Sequence, residues 1–252
     1  MAHIDVRDLR MQHGERLIQA HVSFSVEPGR IVAVMGGSGC GKSTLLRHMV
    51  GLQAPAGGDV FIDGRGYWGA MPATEQQGTR QRFGMLFQKG ALWSTLSVAE
   101  NVRLPLDLHW SDRTPADRAQ RVREVLAWVG LADQADAPVH GLSGGQVKRA
   151  GLARAIVAKP EVIFLDEPSA GLDPVTSLRM DDLILSIRDR TGASVVLVSH
   201  ERDSLFRIAD DGIFLDAESR QPLAHGRPAD LQHDGSLPRQ VRNFLQRKDE
   251  QA

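Results

Sequence analysis

The sequence contains a single cysteine and no long hydrophobic run. With Cys40 alone among 252 residues, no disulfide can form within the chain, as is usual in the reducing cytoplasm. No stretch approaches the roughly 20 apolar residues that a membrane-spanning helix requires. The first ten residues include Asp5 and Asp8, where a secretory peptide would have a basic end and an apolar run. We therefore expect a soluble, cytoplasmic protein.

An excess of charge of either sign is also absent. Lysine and arginine total 30 and aspartate and glutamate total 31, which gives a formal net charge of −1. Proteins that bind nucleic acid usually show a strong basic excess, so we predict no nucleic-acid partner. Hydrophobic residues make up 42% of the chain, enough for the core of one domain that spans residues 1–252.

Short apolar runs indicate an α/β fold. Residues 31–36, 162–167 and 194–200 are continuous, β-rich stretches, typical of strands that are covered on both faces in a parallel sheet. Residues 82–88 predict a further buried strand that ends in a polar residue, and residues 213–226 predict two edge strands around a polar turn. Helical patterns lie between these runs, so we predict an α/β fold with a mostly parallel sheet.

Two segments are predicted to be mainly helical. Residues 89–158 form an inserted helical subdomain, in which Thr114 is an N-cap and Pro115 is the first helical residue. Residues 235–252 predict a C-terminal helical tail whose helix starts at Pro238. The apolar face of this tail consists of Val241, Phe244 and Leu245.

A glycine-rich loop follows the strand predicted at residues 31–36. It matches G-x-x-x-x-G-K-[ST], a pattern in which the backbone wraps around nucleotide phosphates so that N–H groups point inward. Lys42 adds a mobile positive charge, and the Ser43 hydroxyl can reach a Mg²⁺ ion. The predicted nucleotide-binding residues of this loop are Gly36, Gly37, Ser38, Gly39, Cys40, Gly41, Lys42, Ser43 and Thr44.

Polar residues follow three of the predicted strands. Asp166 ends one strand, where its carboxylate can reach a metal-bound water, and the adjacent Glu167 can deprotonate an attacking water. Gln88 and His200 close the other two strands, and an imidazole there could contact the γ-phosphate or hold the water. Because the carboxyl ends of parallel strands line the ligand crevice, these residues predict a site for phosphoryl transfer.

A second glycine turn, at residues 141–156, also opens a helix. Such a turn presents free backbone N–H groups and the positive end of the helix dipole to an anion. Since each glycine turn begins its own helix, one chain cannot readily fold both around one nucleotide, whereas two chains related head-to-tail by a two-fold axis can. The alternative is an ordinary helix cap. We predict a homodimer that encloses two nucleotides.

Taken together, these motifs resemble the nucleotide-binding subunit of ABC transporters over nearly the whole chain. The resemblance implies a P-loop ATPase core with a mostly parallel sheet, an antiparallel β part and a helical subdomain, and it implies ATP and Mg²⁺ as ligands. In chain order the motifs are the Walker A loop (36–44), the Q-loop glutamine Gln88, the signature "LSGGQ" (142–146), Walker B with Glu167, the D-loop "SAGLD" (169–173) and the switch histidine His200.

The same resemblance implies a role for each motif residue. Catalysis is assigned to Glu167, His200 and Gln88, and the metal to Ser43, Gln88 and Asp166. Contacts to the nucleotide of the partner subunit are assigned to Ser143, Gly144, Gly145, Gln146 and Asp173.

The residue that would contact adenine departs from the family pattern. The family usually places an aromatic residue where it stacks on adenine, and the nearest positions here are Met11 and His13, with Arg16 as a cation that could cover the ring. We predict His13 as the contact and leave the other two open.

Cys40 belongs to the glycine loop, although the mechanism does not require a cysteine there. It lies near a helix N-terminus, which tends to lower the pKa of a thiol, so we expect alkylation of Cys40 to inhibit the ATPase and MgATP to protect it.

Residues around and just after Gln88 indicate which subfamily of transporters the chain resembles. The stretch 85–102 resembles the Mla/Mce-type ATPases that drive phospholipid traffic between the two membranes of a diderm envelope, and so does the tail at 235–246. That resemblance implies a membrane permease that docks near Trp93, a substrate-binding MCE-domain protein and a small STAS-type subunit, all at the inner membrane. The ATPase would then be peripheral on its cytoplasmic face.

Other kinds of ABC ATPase stay open as alternatives. A cassette for a polar small solute or for lipoprotein release is the first. An ABC ATPase that acts on DNA or ribosomes would show a coiled-coil insertion, tandem cassettes or a basic surface, and the sequence has none of these.

Overall fold

Two β-sheets with helices around them make up the computed structural model, which describes residues 2–110 and 112–246. The strands are β1 (Ile4–His13), β2 (Arg16–Val26), β3 (Ile31–Met35), β4 (Gly57–Ile62), β5 (Arg65–Gly66), β6 (Phe83–Leu86), β7 (Val162–Asp166), β8 (Ser194–Val198), β9 (Asp211–Leu215) and β10 (Pro222–His225). The helices are α1 (Lys42–Met49), α2 (Ala73–Arg80), α3 (Val98–His109), α4 (Pro115–Trp128), α5 (Gly144–Ile156), α6 (Pro174–Thr191), α7 (Arg202–Ile208), α8 (Pro228–Leu231) and α9 (Arg239–Gln246).

The larger sheet has the strand order β10-β9-β3-β8-β7-β6. All of its neighbouring strands run parallel except β10, which pairs antiparallel with β9. Every residue of β3, β7 and β8 is buried, because helices cover one face of the sheet, and the smaller sheet together with α1 covers the other. The predicted α/β fold with a mostly parallel sheet is therefore confirmed.

Two strand predictions need correction. Residues 213–226 do form an antiparallel pair, but only β10 is an edge strand, since β9 also pairs in parallel with β3. The run from Gly212 to Leu215 is fully buried, which suits an interior strand. β6 ends at Leu86, so Gln88 lies two residues beyond the strand rather than at its last position.

The smaller sheet has the strand order β2-β1-β4-β5 and is antiparallel. It supplies one side of a hydrophobic core to which β3, β7, β8 and α1 supply the other. This sheet is the antiparallel part that the family resemblance implies. Its β1–β2 hairpin turn, between His13 and Arg16, lies at the rim of the site described below.

Helices account for the regular structure within residues 89–158. α3, α4 and α5 pack on one another through apolar side chains such as Val102, Val125 and Leu152. Thr114 caps α4 with Pro115 at its first position, as predicted, and accepts a hydrogen bond from the N–H of Asp117. The bounds 89–158 of a separate subdomain stay a prediction.

The C-terminal helix α9 lies against the larger sheet. Val241 and Leu245 are buried, and the Phe244 ring meets Phe214 of β9 at a centroid distance of 5.2 Å. The predicted apolar face is thus present. Residues 247–252 of the predicted tail lie outside the described residues. Within residues 2–110 and 112–246, no helix combines the length and apolar character needed to cross a membrane.

Candidate functional site

A cavity of about 1220 Å³ opens at the carboxyl ends of the parallel strands. Its lining includes the glycine loop after β3, Gln88 after β6, Glu167 after β7 and His200 after β8. The strands β3, β8, β7 and β6 are consecutive neighbours, which brings these residues, distant in sequence, to one edge. The cavity exceeds the roughly 300–1,000 Å³ typical of ligand pockets, so it has room for a whole nucleotide.

The glycine loop adopts a conformation that side chains would prevent. Gly36 has φ of 141°, and a Cβ there would lie 2.3 Å from the carbonyl oxygen of Leu215. Gly41 has φ of 102°, and its Cβ would meet Ile18 at 2.6 Å. These glycines let the loop pass close to β9 and β2 while α1 begins at Lys42.

Lys42 and Ser43 make contacts that prepare the loop for an anion and a cation. The Lys42 ammonium donates hydrogen bonds to the carbonyls of Gly36 at 2.8 Å and Gly37 at 3.0 Å, which fixes its charge over the loop. Ser43 Oγ donates to Asp166 Oδ1 at 3.0 Å. Burial raises the pKa of Asp166 above its ordinary value, although the hydrogen bond from Ser43 acts in the opposite direction.

Glu167 is buried and its backbone is strained. Its φ is +53°, a value that residues other than glycine rarely adopt and that often marks a functional position. The Glu167 N–H donates to the Val198 carbonyl at 2.9 Å, and the Glu167 carbonyl accepts from Lys148 Nζ at 2.6 Å. His200 Nδ1 lies 2.8 Å from Glu167 Oε2, so β7 and β8 bring the predicted base and the predicted switch histidine together.

Lys148 is a site residue that the sequence analysis missed. It lies on α5, its side chain is buried, and burial lowers its pKa. Its position two residues after the signature motif is visible in the sequence. What its ammonium contacts depends on how α5 packs against β7, and no local pattern reveals that.

The prediction that Cys40 has a lowered pKa is wrong. The Cys40 side chain is 1% exposed and turns into the core rather than into the cavity, whose lining does not include it. Burial raises the pKa of the thiol above its ordinary value, outweighing the lowering effect of Lys42 nearby. The Cys40 carbonyl accepts a 2.9 Å hydrogen bond from Gln19, a buried residue that belongs to no motif.

Of the three residues considered for adenine, two line the cavity. His13 and Arg16, on either side of the β1–β2 turn, are exposed and face it. Met11 is fully buried, so it cannot contact a base. Among the described residues, the phenylalanine rings that line the cavity are Phe214 of β9 and Phe244 of α9, which were not predicted there from the sequence.

The signature residues lie outside this cavity. Ser143 caps α5: its Oγ accepts from the Gln146 N–H at 3.3 Å, and Gln146 Oε1 accepts from the Ser143 N–H at 2.8 Å. Asp173 caps α6 in the same way, by accepting from Val175 and Thr176. Neither helix start is among the residues that line the cavity. Within this chain's own site, the residues predicted to contact a nucleotide of the partner therefore make no such contact. They are Ser143, Gly144, Gly145, Gln146 and Asp173.

Trp93 is an exposed aromatic residue close to Gln88 in the sequence. Its side chain is 64% exposed, while its backbone N–H and carbonyl are fixed by the buried Asn101 at 2.7 Å and 3.0 Å. Leu92, by contrast, packs against the helical core. The loop thus presents Trp93 outward from a rigid base.

Comparisons with known proteins point to one family. The family model described as "ABC transporter" matches residues 20–170. The intermembrane phospholipid transport system ATP-binding protein MlaF of Escherichia coli strain K12 is 38% identical, over 96% of this chain and 88% of MlaF. The methionine import ATP-binding protein MetN of Brucella abortus strain 2308 is 36% identical, over 99% of this chain and 70% of MetN.

Solved structures agree with these sequence matches. The dimeric structure of MJ0796, a bacterial ABC transporter cassette, superposes with a TM-score of 0.81 at 28% identity and covers 89% of this chain and 98% of MJ0796. A post-hydrolysis state of MJ0796 bound to ADP and Pi gives a TM-score of 0.79 at 28% identity, over the same shares of the two chains.

Proposed function

Since this chain belongs to the ABC transporter family, whose ATP-binding subunits hydrolyse ATP, we propose that it powers phospholipid transport between the two membranes of a diderm envelope. ATP would bind in the cavity of one subunit and be covered by the signature motif of a second copy. Closure of this head-to-tail homodimer would then drive the permease. The proposal has two parts, the shared ATP site and the cargo, and each rests on its own observation.

The positions of the side chains support the proposed roles in hydrolysis. Lys42 and the loop N–H groups bind the phosphates, and the buried carboxylate of Glu167 takes a proton from the water that attacks the γ-phosphorus. His200, 2.8 Å from Glu167, orients that carboxylate and the water. Gln88, two residues after β6, lines the same cavity.

The residues present fit a Mg²⁺ ion. Ser43 Oγ and Asp166 Oδ1 are already 3.0 Å apart, and hard oxygen ligands of this kind are the ones that magnesium prefers. Gln88 would add a carbonyl oxygen. When bound, the ion would neutralise phosphate charge during phosphoryl transfer.

The signature glycines carry the proposal of a shared site. A Cβ on Gly144 would meet nothing within 4 Å, and one on Gly145 would meet only side-chain atoms of Thr176 and Leu172. The fold of this chain therefore does not require glycine at 144, although glycine there lowers helix stability. Space beside exposed helix N–H groups is what an approaching phosphate of a partner subunit needs.

Mixed dimers test the shared site. Lys42→Ala removes the main charge that binds ATP, and Ser143→Arg blocks the signature surface without touching the cavity. In a dimer that carries one variant in each subunit, both lesions fall on one composite site and leave the other intact, so about half of the activity should remain. Each variant paired with itself should be inactive. Activity no higher in the mixed dimer than in either homodimer would contradict a shared site.

The cargo proposal rests on Trp93 and on the resemblance to MlaF. An exposed tryptophan on a rigid loop beside the ATP site is a natural anchor for a helix of a partner subunit. The match to MlaF covers nearly all of both proteins. MetN is similarly identical, so methionine import, a case of small-solute transport, is the second candidate.

Purification of the native complex distinguishes the two cargoes. We expect the tagged chain to copurify with a permease, an MCE-domain protein, a small STAS-type subunit and phospholipid, and the ATPase activity of the complex to respond to phospholipid. Stimulation by methionine with a solute-binding partner would instead support the second candidate.

Substitution of the proposed anchor tests where the permease docks. Trp93→Glu should abolish copurification of the permease while ATP binding persists, since Trp93 does not line the cavity. Leu52→Glu, at a leucine after α1 that is 60% exposed, is the matched control and should leave the complex intact. Equal copurification in the two variants would contradict the role of Trp93.

A further inference from the structure

The cavity has a wall that no motif accounts for. It is lined by Arg220, from the turn between β9 and β10, and by Gln240, Asn243 and Phe244 of α9. The Arg220 carbonyl accepts a 2.9 Å hydrogen bond from the Ala20 N–H of β2, which places Arg220 beside the strand that follows the β1–β2 turn. The Walker loop already provides for the phosphates, so this part of the cavity is available to another part of the nucleotide.

α9 is fixed in place along its apolar face. Val241 is fully buried and Leu245 is 2% exposed within the larger core, and Phe244 packs edge-on against Phe214. Gln246 Nε2 also donates a 3.1 Å hydrogen bond to the Gln232 carbonyl. A helix fixed in this way can present side chains to a ligand without first becoming ordered.

The opposite face of α9 carries two amides. Gln240 and Asn243 are three residues apart, which places them side by side on the helix surface, and both line the cavity. Neither amide makes a hydrogen bond to any residue within 2–110 or 112–246. Their donors and acceptors are therefore available to a ligand.

Neutral amides suit the base of the nucleotide rather than its phosphates. An amide offers a donor and an acceptor next to each other, which matches the N6 amino group and the adjacent ring nitrogen of adenine. His13 and Arg16, which line the same cavity, can cover the face of the ring. We propose that α9 forms one side of the nucleobase subsite, with Asn243 and Gln240 as hydrogen-bond partners of adenine and Phe244 as its apolar floor.

The test compares ATP with inorganic tripolyphosphate, a ligand without a base. The double variant Gln240→Met, Asn243→Leu keeps side-chain size and removes both amides. It should bind ATP roughly 10- to 30-fold more weakly, as expected for the loss of about two neutral hydrogen bonds, and tripolyphosphate as well as the wild type does. Gln81→Met, which removes the amide of an exposed glutamine outside the cavity lining, is the matched control and should leave both affinities unchanged.

Two further readouts separate base recognition from a structural effect. Asn243→Ala adds no apolar bulk and should show a smaller loss with the same selectivity for ATP, at an unchanged melting temperature. In the assembled transporter the double variant should raise KM for ATP and leave kcat unchanged, because base contacts are the same in ground state and transition state. Unchanged ATP affinity, or equal losses for ATP and tripolyphosphate, would overturn the proposal.

Discussion

The two glycine turns that open α1 and α5 are alike in sequence and different in their surroundings. In the first, Gly41 precedes α1 with φ of 102°, no side chain caps the helix, and the turn lines the cavity. In the second, Ser143 and Gln146 cap α5 reciprocally and the turn lies outside the cavity lining. The first turn thus belongs to this chain's own cavity, whereas the second is the one proposed to meet the nucleotide of a partner.

The two turns also differ in what a side chain at their glycines would contact. At Gly36 a Cβ would collide with the backbone of β9, so glycine is required by the fold itself. At Gly144 the space is open, so the fold does not require glycine there, which agrees with the proposed approach of a partner's nucleotide. A glycine motif can therefore mark a position that lies close to another backbone segment or one that is open to a ligand. The surrounding structure distinguishes the two cases.

The largest expected effect comes from placing alanine in each turn. Gly36→Ala should lower the free energy of unfolding by about 3 kcal/mol or more, because backbone strain and overpacking each cost about 1–3 kcal/mol, and ATP binding should be lost. Gly144→Ala should raise the free energy of unfolding by up to about 1 kcal/mol and leave ATP binding unchanged.

Urea unfolding and ATP titration of the isolated chain measure both effects. In the assembled transporter, by contrast, Gly144→Ala should lower ATPase activity if the signature contacts the partner's nucleotide. Destabilisation by Gly144→Ala of the same size as that by Gly36→Ala would remove the contrast between the two turns.

Lys148 connects the signature helix α5 with the cavity. It belongs to α5, and its ammonium donates a hydrogen bond to the carbonyl of Glu167, which lines the cavity. Lys148→Met keeps the length of the side chain but leaves that carbonyl without its charged partner, a loss of about 1.5–3 kcal/mol. If the bond positions Glu167 for proton abstraction, kcat should fall by about tenfold or more with KM for ATP unchanged.

The conservative variant separates positioning from folding. Lys148→Arg can still donate a hydrogen bond and should restore much of kcat. A rise in KM at constant kcat, or equal losses in the Met and Arg variants, would show that Lys148 only packs α5 against β7.

The sequence predicted the parts of the site that are local. The Walker loop, the strands before it and before Asp166, and the cap at Thr114 each lie within one short segment, so periodicity and turn chemistry suffice to identify them. Gln19, Lys148 and the α9 wall were missed because their contacts join segments far apart in the chain. Cys40 was placed correctly beside a helix N-terminus, but the direction of its side chain depends on the positive φ of Gly39 and Gly41 and on the packing of β2 and β9.

The smallest effect is expected at Cys40, and one thiol probe can compare both helix starts there. Because burial raises the pKa of Cys40 and the side chain is 1% exposed, native protein should react slowly with iodoacetamide at pH 7.5, and the rate should rise on unfolding. Cys40→Ala should bind ATP normally and lose about 1 kcal/mol of stability.

In the Cys40→Ala background, Ser143→Cys places a thiol at the exposed start of α5, where the helix dipole favours the thiolate. Alkylation there should be at least about tenfold faster than at Cys40. Mass spectrometry of the labelled chains gives both rates. Equal rates at the two positions would mean that the start of α1 is as open as that of α5, contrary to the structure.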